Sequence, residues 1–312
     1  MVGRAIGRAL SQECHHEVIT VPREKLDLTD QHAVRHFFSC EDVDAIILAA
    51  ARVGGIMANA QFPASFLYEN LAIAQNVIHA AHQADVNLLI QLGSSCIYPR
   101  DAHQPISERA LLTGPLEPTN AAYALAKIAA IKLCESYAAQ YGRDYRSLMP
   151  TNLYGPFDNF HPRNAHVVPA LIQRFHAAVE QGERHVKIWG SGSPRREFLH
   201  VDDLADAVLF LLSMPQSEYR QRTTPDCSHI NVGTGQDISI IELARMIARF
   251  SGFDGAVLTN PDMPDGTPRK RLDVSLMTGL GWRAKCTLPD GLAQTVLWHR
   301  QMQARGVRLR AS

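Results

Sequence analysis

The sequence predicts an α/β fold: a doubly wound parallel sheet covered by helices, with a smaller C-terminal lobe. Three observations carry that expectation. Short β-rich runs alternate with longer amphipathic segments over the first two-thirds of the 312 residues. Two of those runs, 44–51 and 88–92, are nearly continuous in apolar residues, as strands buried on both faces are. The segments between the runs are long enough to return the chain across a sheet as crossover helices.

In chain order, 4–11 reads as a helix, 17–21 as a strand, 31–38 as a helix and 44–51 as a strand. A long helix over 64–84 precedes the strand at 88–92, and another over 120–140 precedes a strand at 145–149. After Met149 the texture changes to Pro150-Thr-Asn-Leu-Tyr-Gly-Pro156, which places a boundary there: 1–150 for the sheet domain and 151–312 mainly for the second lobe. The stretch 202–212 again has the pattern of a helix that returns to the sheet, so the second lobe is expected to interleave with the first. No repeat or low-complexity tract interrupts this order.

Composition narrows the function. Thirty-one basic residues balance thirty-one acidic ones, so no broad field recruits nucleic acid or an anionic membrane. The basic stretch Pro268-Arg-Lys-Arg271 is short and reads as a solvated face. Cys14, Cys40, Cys96, Cys134, Cys227 and Cys286 contain no CxxC pair, which argues against a zinc site or disulfide framework and for a reducing, cytoplasmic setting. Neither a stretch long enough to span a bilayer nor a signal-peptide core is present. There are fourteen histidines, but His15-His16 and His161 with His166 lack the helical i, i+4 pairing with a nearby Glu that would suggest zinc, so no metal is expected.

The most telling spacing is Tyr123-Ala-Leu-Ala-Lys127. Residues four apart share a helix face, so a lysine ammonium near the phenol is expected to lower its pKa from about 10. Such a phenol hands a proton to a carbonyl oxygen while hydride arrives at the carbon. Ser94 lies where the strand at 88–92 ends, in reach of the same oxygen.

Hydride chemistry calls for a dinucleotide. Only the last glycine of a possible phosphate-binding turn, Gly3, stands before the helix at 4–11, so a first strand and the start of that turn are missing from the expected order. Met1-Val-Gly3 fits within a longer Gly-x-x-Gly-Met-Val-Gly turn, which leaves two alternatives: a longer natural chain, or a degraded relative. Arg23 follows the strand at 17–21 in place of the acidic residue that binds a ribose 2′-hydroxyl, favouring NADP over NAD.

With Ala49-Ala-Ala-Arg-Val-Gly-Gly55, Gly93-Ser-Ser-Cys-Ile-Tyr-Pro99, Tyr123-x-x-x-Lys127, Pro150-Thr-Asn-Leu-Tyr-Gly155 and Arg196-Glu-Phe-Leu-His-Val-Asp202 in sequence, the chain resembles the extended short-chain dehydrogenase/reductases. More narrowly, it is similar to their bifunctional members, which epimerise GDP-4-keto-6-deoxy-D-mannose at C3 and C5 and reduce its C4 ketone with NADPH. The resemblance implies a Rossmann-like sheet binding NADP(H) through Leu92, Gly93, Ser94, Ser95, Lys127, Pro150, Thr151, Asn152, Leu153 and His166. It implies Cys96 as base and His166 as acid in epimerisation, beside Ser94, Tyr123 and Lys127 in reduction. Arg174, Trp189, Arg196 and Asp265 match positions that contact the GDP-sugar, while Arg269 stays open between contact and surface. A homodimer through the helices at 64–84 and 120–140 is implied as well. Two alternatives stand beside this reading. One is a nucleotide-sugar 4,6-dehydratase or 4-epimerase, although Ser95-Cys96 occupies the place of a dehydratase Asp-Glu pair. The other is a catalytically impaired sugar-nucleotide-binding module.

Overall fold

The computed structural model describes residues 1–13, 16–161, 165–263 and 265–306. Helix α1 (Val2–Gln12) is followed by α2 (Gln31–Cys40), whose first amides, His32 N and Ala33 N, donate to the Asp30 carboxylate. Strand β1 (Ala45–Leu48), α3 (Ile56–Gln61) and α4 (Pro63–Gln83) lead to β2 (Leu88–Leu92), and α5 (Ala121–Tyr141) leads to β3 (Asp144–Pro150). Beyond it run β4 (Asn152–Tyr154), α6 (Val167–Glu180), β5 (His185–Trp189), β6 (Arg195–His200), α7 (Val201–Ser213), α8 (Gln216–Arg222) and β7 (Ile230–Val232). The remainder holds β8 (Asp237–Ser239), α9 (Ile240–Phe250), β9 (Ala256–Asn260), β10 (Arg269–Lys270), α10 (Ser275–Gly279) and α11 (Leu288–Ala304).

The main sheet is parallel, in the order β1-β2-β3-β7. Side chains alternate across β2, and that alternation feeds two cores. Leu89 packs with Val77, Ile78, Ala130 and Tyr145 beneath α4 and α5. Ile90 faces the other way, onto Ile6 of α1 and Leu204, Val208 and Leu211 of α7. Helices on both faces make the doubly wound arrangement that the alternation of segments predicts. Helix α7 packs beside α1 against the Ile90 face of the sheet.

Two smaller sheets build the second lobe. One runs β10-β6-β4, with β8 antiparallel on β6, and the other pairs β5 with β9. Their core comprises Phe160, Ile172, Phe175, Ile188, Phe198, Ile247 and Leu292, drawn from α6, α9 and α11 and the strands between them.

The expected strand at 17–21 is not formed. The segment is irregular, with Ile19 and Val21 exposed, and β1 pairs among the described residues with β2 alone. A strand is defined by its ladder, and β propensity without a partner does not make one. The same open edge explains a second difference. The run 44–51 contracts to a four-residue strand in which only Leu48 is buried, whereas all of β3 is buried.

Candidate active site

The site begins where β2 ends. Gly93 N donates to Leu148 O at 2.8 Å, carrying the ladder one step past the strand. A Cβ at Gly93 would lie 2.1 Å from Met149 Cε, so glycine is what lets the chain cross that side chain. Ser94 then opens a single 3-10 turn, Ser95–Ile97, and its Oγ accepts from Cys96 N at 3.4 Å. The hydroxyl and thiol are thereby set at the carboxyl end of the sheet, where ligands of open α/β sheets bind.

Helix α5 brings Tyr123 and Lys127 to the same place. Lys127 is buried, donates from Nζ to Leu92 O at 2.7 Å and lies 5.8 Å from the Tyr123 ring centroid. Phe66 of α4 meets that ring edge-on at 6.3 Å. Cys96 is the electrostatic centre of the group, facing Tyr123, Lys127 and Lys270. Burial pushes its thiol up, while Lys270 first, then the Ser94 hydrogen bond and Lys127, draw it back. Burial also brings Lys127 down to about 8.

The tyrosine does not behave as its spacing predicts. Removal from water pushes the Tyr123 hydroxyl well above its ordinary value, and the neighbouring Cys96 adds to the rise. Lys127 is committed to the Leu92 carbonyl and lies over the ring, so desolvation outweighs any acidifying effect of its charge. A phenol held protonated is a proton donor rather than a base.

The other candidate residues of catalysis and substrate binding, here termed the facing wall, lie on the segments after β3. His166 stands at the amino end of α6, with its imidazole held low by desolvation. Arg174 donates from Nη1 to Lys187 O at 2.8 Å, and Trp189 ends β5 with 54% of its surface exposed. Asp265 accepts from Ser191 N at 2.9 Å and from Ser191 Oγ at 2.7 Å, holding the turn after Trp189. Gly190 in that turn has φ +70°, and a Cβ there would meet Asp265 Oδ1 at 2.1 Å. Arg196 of β6 donates from Nη1 to Arg195 O at 2.8 Å.

Ser94, Cys96, Tyr123 and Lys127 are thus brought together. His166 shares no hydrogen bond or ring contact with them among the described residues. Thr151 and Asn152 spend their side chains on the Glu197 carbonyl, at 3.2 and 2.8 Å, Pro150 ends β3 and Leu153 lies in β4. Arg23 lies near the open edge, ion-paired with Asp27 and Glu69. Arg52 pairs with the same Glu69, and Asn70 braces its backbone through bonds of 3.0 Å in both directions. Gly3 occupies the first turn of α1, where no side chain caps the open amides.

Two features escaped the sequence. Arg52, Glu69 and Asn70 shape the 51–55 turn, and Lys270 faces Cys96 instead of lying on a solvated basic face. Period-two alternation through 269–271 is the signal that would have separated Lys270 from its neighbours.

A parallel sheet with a serine at the end of a strand and a tyrosine and lysine on the neighbouring helix α5 defines the class: a dinucleotide-dependent α/β enzyme. The chain belongs to the NAD dependent epimerase/dehydratase family, whose model matches residues 1–233. It is 55% identical over 305 residues to the GDP-L-fucose synthase of Escherichia coli (strain K12), covering 98% of this chain and 95% of that protein. To GDP-L-fucose synthase 1 of Arabidopsis thaliana it is 51% identical, over 96% of this chain and 90% of that one. Among solved structures it is similar to a GDP-6-OMe-4-keto-L-xylo-heptose reductase from C. jejuni, with a TM-score of 0.89, 34% identity and coverage of 96% and 95%. A GDP-L-fucose synthetase from Naegleria fowleri bound to NADP matches with a TM-score of 0.87, 25% identity and coverage of 98% and 93%.

Proposed function

We propose that this chain makes GDP-L-fucose by epimerising GDP-4-keto-6-deoxy-D-mannose at C3 and C5 and reducing its C4 ketone with NADPH. The observation that carries this reading is the Cys96 thiol on the turn opened by Ser94, in the electrostatic neighbourhood of Tyr123 and Lys127. A ketoreductase needs only the latter three; the thiol adds a base for carbon acids.

The C4 ketone acidifies the protons on C3 and C5. The Cys96 thiolate removes one, the C–H electron pair forms the enolate double bond, and the carbonyl pair moves onto oxygen. Ser94 and Tyr123 hydroxyls donate to that oxygen. His166 returns a proton to the opposite face of the carbon. In the reductive half, bound NADPH supplies hydride to C4. Tyr123, kept protonated by burial, gives its proton to the oxygen.

The residues present fit that cofactor. The uncapped first turn of α1, with Gly3 leaving open space where a Cβ would lie, suits a phosphate. Arg23 suits the 2′-phosphate, Leu92, Gly93, Ser94 and Ser95 pass beneath, Pro150, Thr151, Asn152 and Leu153 with His166 line the far side, and Lys127 orients the nicotinamide ribose. Arg174 and Arg196 suit the diphosphate, and Trp189 gives a base an aromatic face beside the Asp265 turn. With Ser95-Cys96 in the place of a dehydratase acid pair, epimerisation is the favoured reading over dehydration.

The enzyme is further proposed to be a cytoplasmic homodimer. Tyr68 of α4 and Leu125 and Tyr141 of α5 are exposed on neighbouring helices, and light scattering that gave a monomer would refute the pairing. No helix among the described residues is long and apolar enough to cross a membrane. The decisive assay incubates the chain with NADPH and the keto sugar in deuterium oxide. Loss of reduced-nicotinamide absorbance with deuterium at C3 and C5 is expected, and unchanged absorbance defeats the proposal.

A further inference from the structure

Helix α2 turns one face to solvent, and that face carries metal-ligating side chains one turn apart. Val34 and Phe38 are its buried stripe, packed with Val77 and Ile78 of α4. At about 100° per residue, His36 stands directly opposite that stripe, with His32 and Cys40 about 40° to either side of it. All three are exposed.

Side chains at i, i+4 and i+8 span about 12 Å of helix, too far for one ion to touch all of them. No three such groups converge on one point among the described residues. The pair that has drawn together is the C-terminal one. Cys40 Sγ lies 3.9 Å from His36 Nδ1 and 4.0 Å from His36 Nε2. Zinc bonds of about 2.3 Å to sulfur and about 2.0–2.1 Å to nitrogen, at a tetrahedral angle, put those two ligand atoms about 3.6 Å apart. The sulfur is nearly equidistant from both nitrogens, so a turn of the exposed ring about its Cβ–Cγ bond aims one of them at a shared ion.

Neither group is spent elsewhere among the described residues. Ser39 Oγ, 3.9 Å from the sulfur, donates to His36 O at 2.7 Å. Arg35 stands about 100° round the helix from His36 and leaves this face without a fixed cation. The surroundings favour one. Cys40 is the last residue of α2, at the negative end of the helix dipole, with no basic side chain in the last turn and the exposed Glu41 and Asp42 following. Those charges disfavour a bare thiolate and attract a divalent cation, whose own charge deprotonates a coordinating thiol.

We propose that His36 and Cys40 form a two-ligand site for a thiophilic divalent cation, zinc, on the outer face of α2. The Cys40 thiol gives its proton to solvent. The sulfur pair and one nitrogen pair of the neutral His36 imidazole form the two bonds to the ion, and water fills the remaining positions. No group is oxidised or reduced. The ion ties the last turn of α2 to the turn before it, across the helix from the apolar stripe that holds α2 on α4.

Cobalt(II) tests this, because cobalt bound to a thiolate absorbs where neither protein nor aqueous cobalt does. Titrated into the full chain, it is expected to give a sulfur-to-cobalt charge-transfer band that saturates at one ion per chain and is displaced by zinc. Cys40→Ser should abolish the band. His36→Ala should weaken binding by about tenfold to a hundredfold or more, since even an outer-shell partner of a metal is worth that much. Both positions are exposed, so neither change disturbs the core. A band that persisted in Cys40→Ser would place the ion on other thiols, and unchanged affinity in His36→Ala would reduce the site to a lone thiol. Either result overturns the proposal, as does the absence of a band in the unaltered chain.

Discussion

The two groups of candidate residues, the sheet wall and the facing wall, are built to different tolerances. On the sheet wall, Lys127 and Cys96 are each 7% exposed, Lys127 is fixed to the end of β2, and Gly93 leaves the chain no slack over Met149. On the facing wall Trp189 is 54% exposed, Asp265 lies in an exposed loop, and His166 heads a helix without a side-chain cap. The difference teaches where accuracy is needed. Proton and hydride transfer demand atoms held to within about 0.5 Å, which packed strands and helices supply. A long nucleotide must enter from solvent and be gripped at several points, which open side chains allow.

The largest test of that division is Tyr123→Phe. Losing a positioned proton donor lowers reduction by about 10²- to 10⁴-fold. NADPH oxidation with the keto sugar should show that loss in kcat, with substrate binding little altered. A drop smaller than tenfold would move the chemistry off the sheet wall. Next comes a pH effect on the same wall. Lys127 titrates at about 8 and Tyr123 far higher, so the ammonium is lost first as pH rises. The reductive rate should fall by about tenfold per pH unit above that value, one unit of pH being tenfold in protonation. Lys127→Arg, which stays charged, should move this alkaline limb upward; a limb that stayed in place would assign it elsewhere.

The facing wall should answer differently. Trp189→Ala removes an aromatic face from an exposed position and should raise KM for the GDP-sugar about twofold to tenfold, an aromatic contact being worth about 0.5–1.5 kcal/mol. Steady-state kinetics should show kcat nearly unchanged. A matching fall in kcat would mean that the recognition wall also sets the reacting geometry.

How much of this was legible follows from what is local. The helices now seen as α4 and α5 and the strands β2 and β3 were readable because apolar period and length are properties of the segment itself. The strand at 17–21 was misread because a ladder needs a partner, and no property of those five residues reveals one. The Tyr123–Lys127 pairing was visible as a spacing, but the direction of its electrostatics was not. That direction is set by burial and by the Leu92 carbonyl, 35 residues distant from Lys127 in the chain. Lys270 was hidden inside a basic triplet. Its neighbours meet Asp237 and Gln104, and only the pairing of β10 with β6 turns it inward.

The smallest effect asks whether the two walls are also separate in stability. Each rests on a fully enclosed histidine. His229 lies 6.1 Å from the Tyr98 ring under the sheet wall, and His299 lies 4.7 Å from Phe160 and 5.1 Å from His176 in the second lobe. Burial drives both down to about 4, helped by Lys132 for His229 and by His176 for His299. An unfolded imidazole takes its proton near pH 6.5, so between there and about 4 the unfolded chain holds more protons than the folded one. Stability is therefore complete above about pH 6.5 and falls as pH drops towards 4, by on the order of 1 kcal/mol per histidine at pH 5.5. His229→Phe and His299→Phe should each shrink the loss of Tm between neutral pH and pH 5.5. Differential scanning calorimetry then divides the outcomes. If each variant protects a different transition, the walls are distinct cooperative units; if both protect one shared transition, their difference is confined to the cleft surface and the lobes melt as one body.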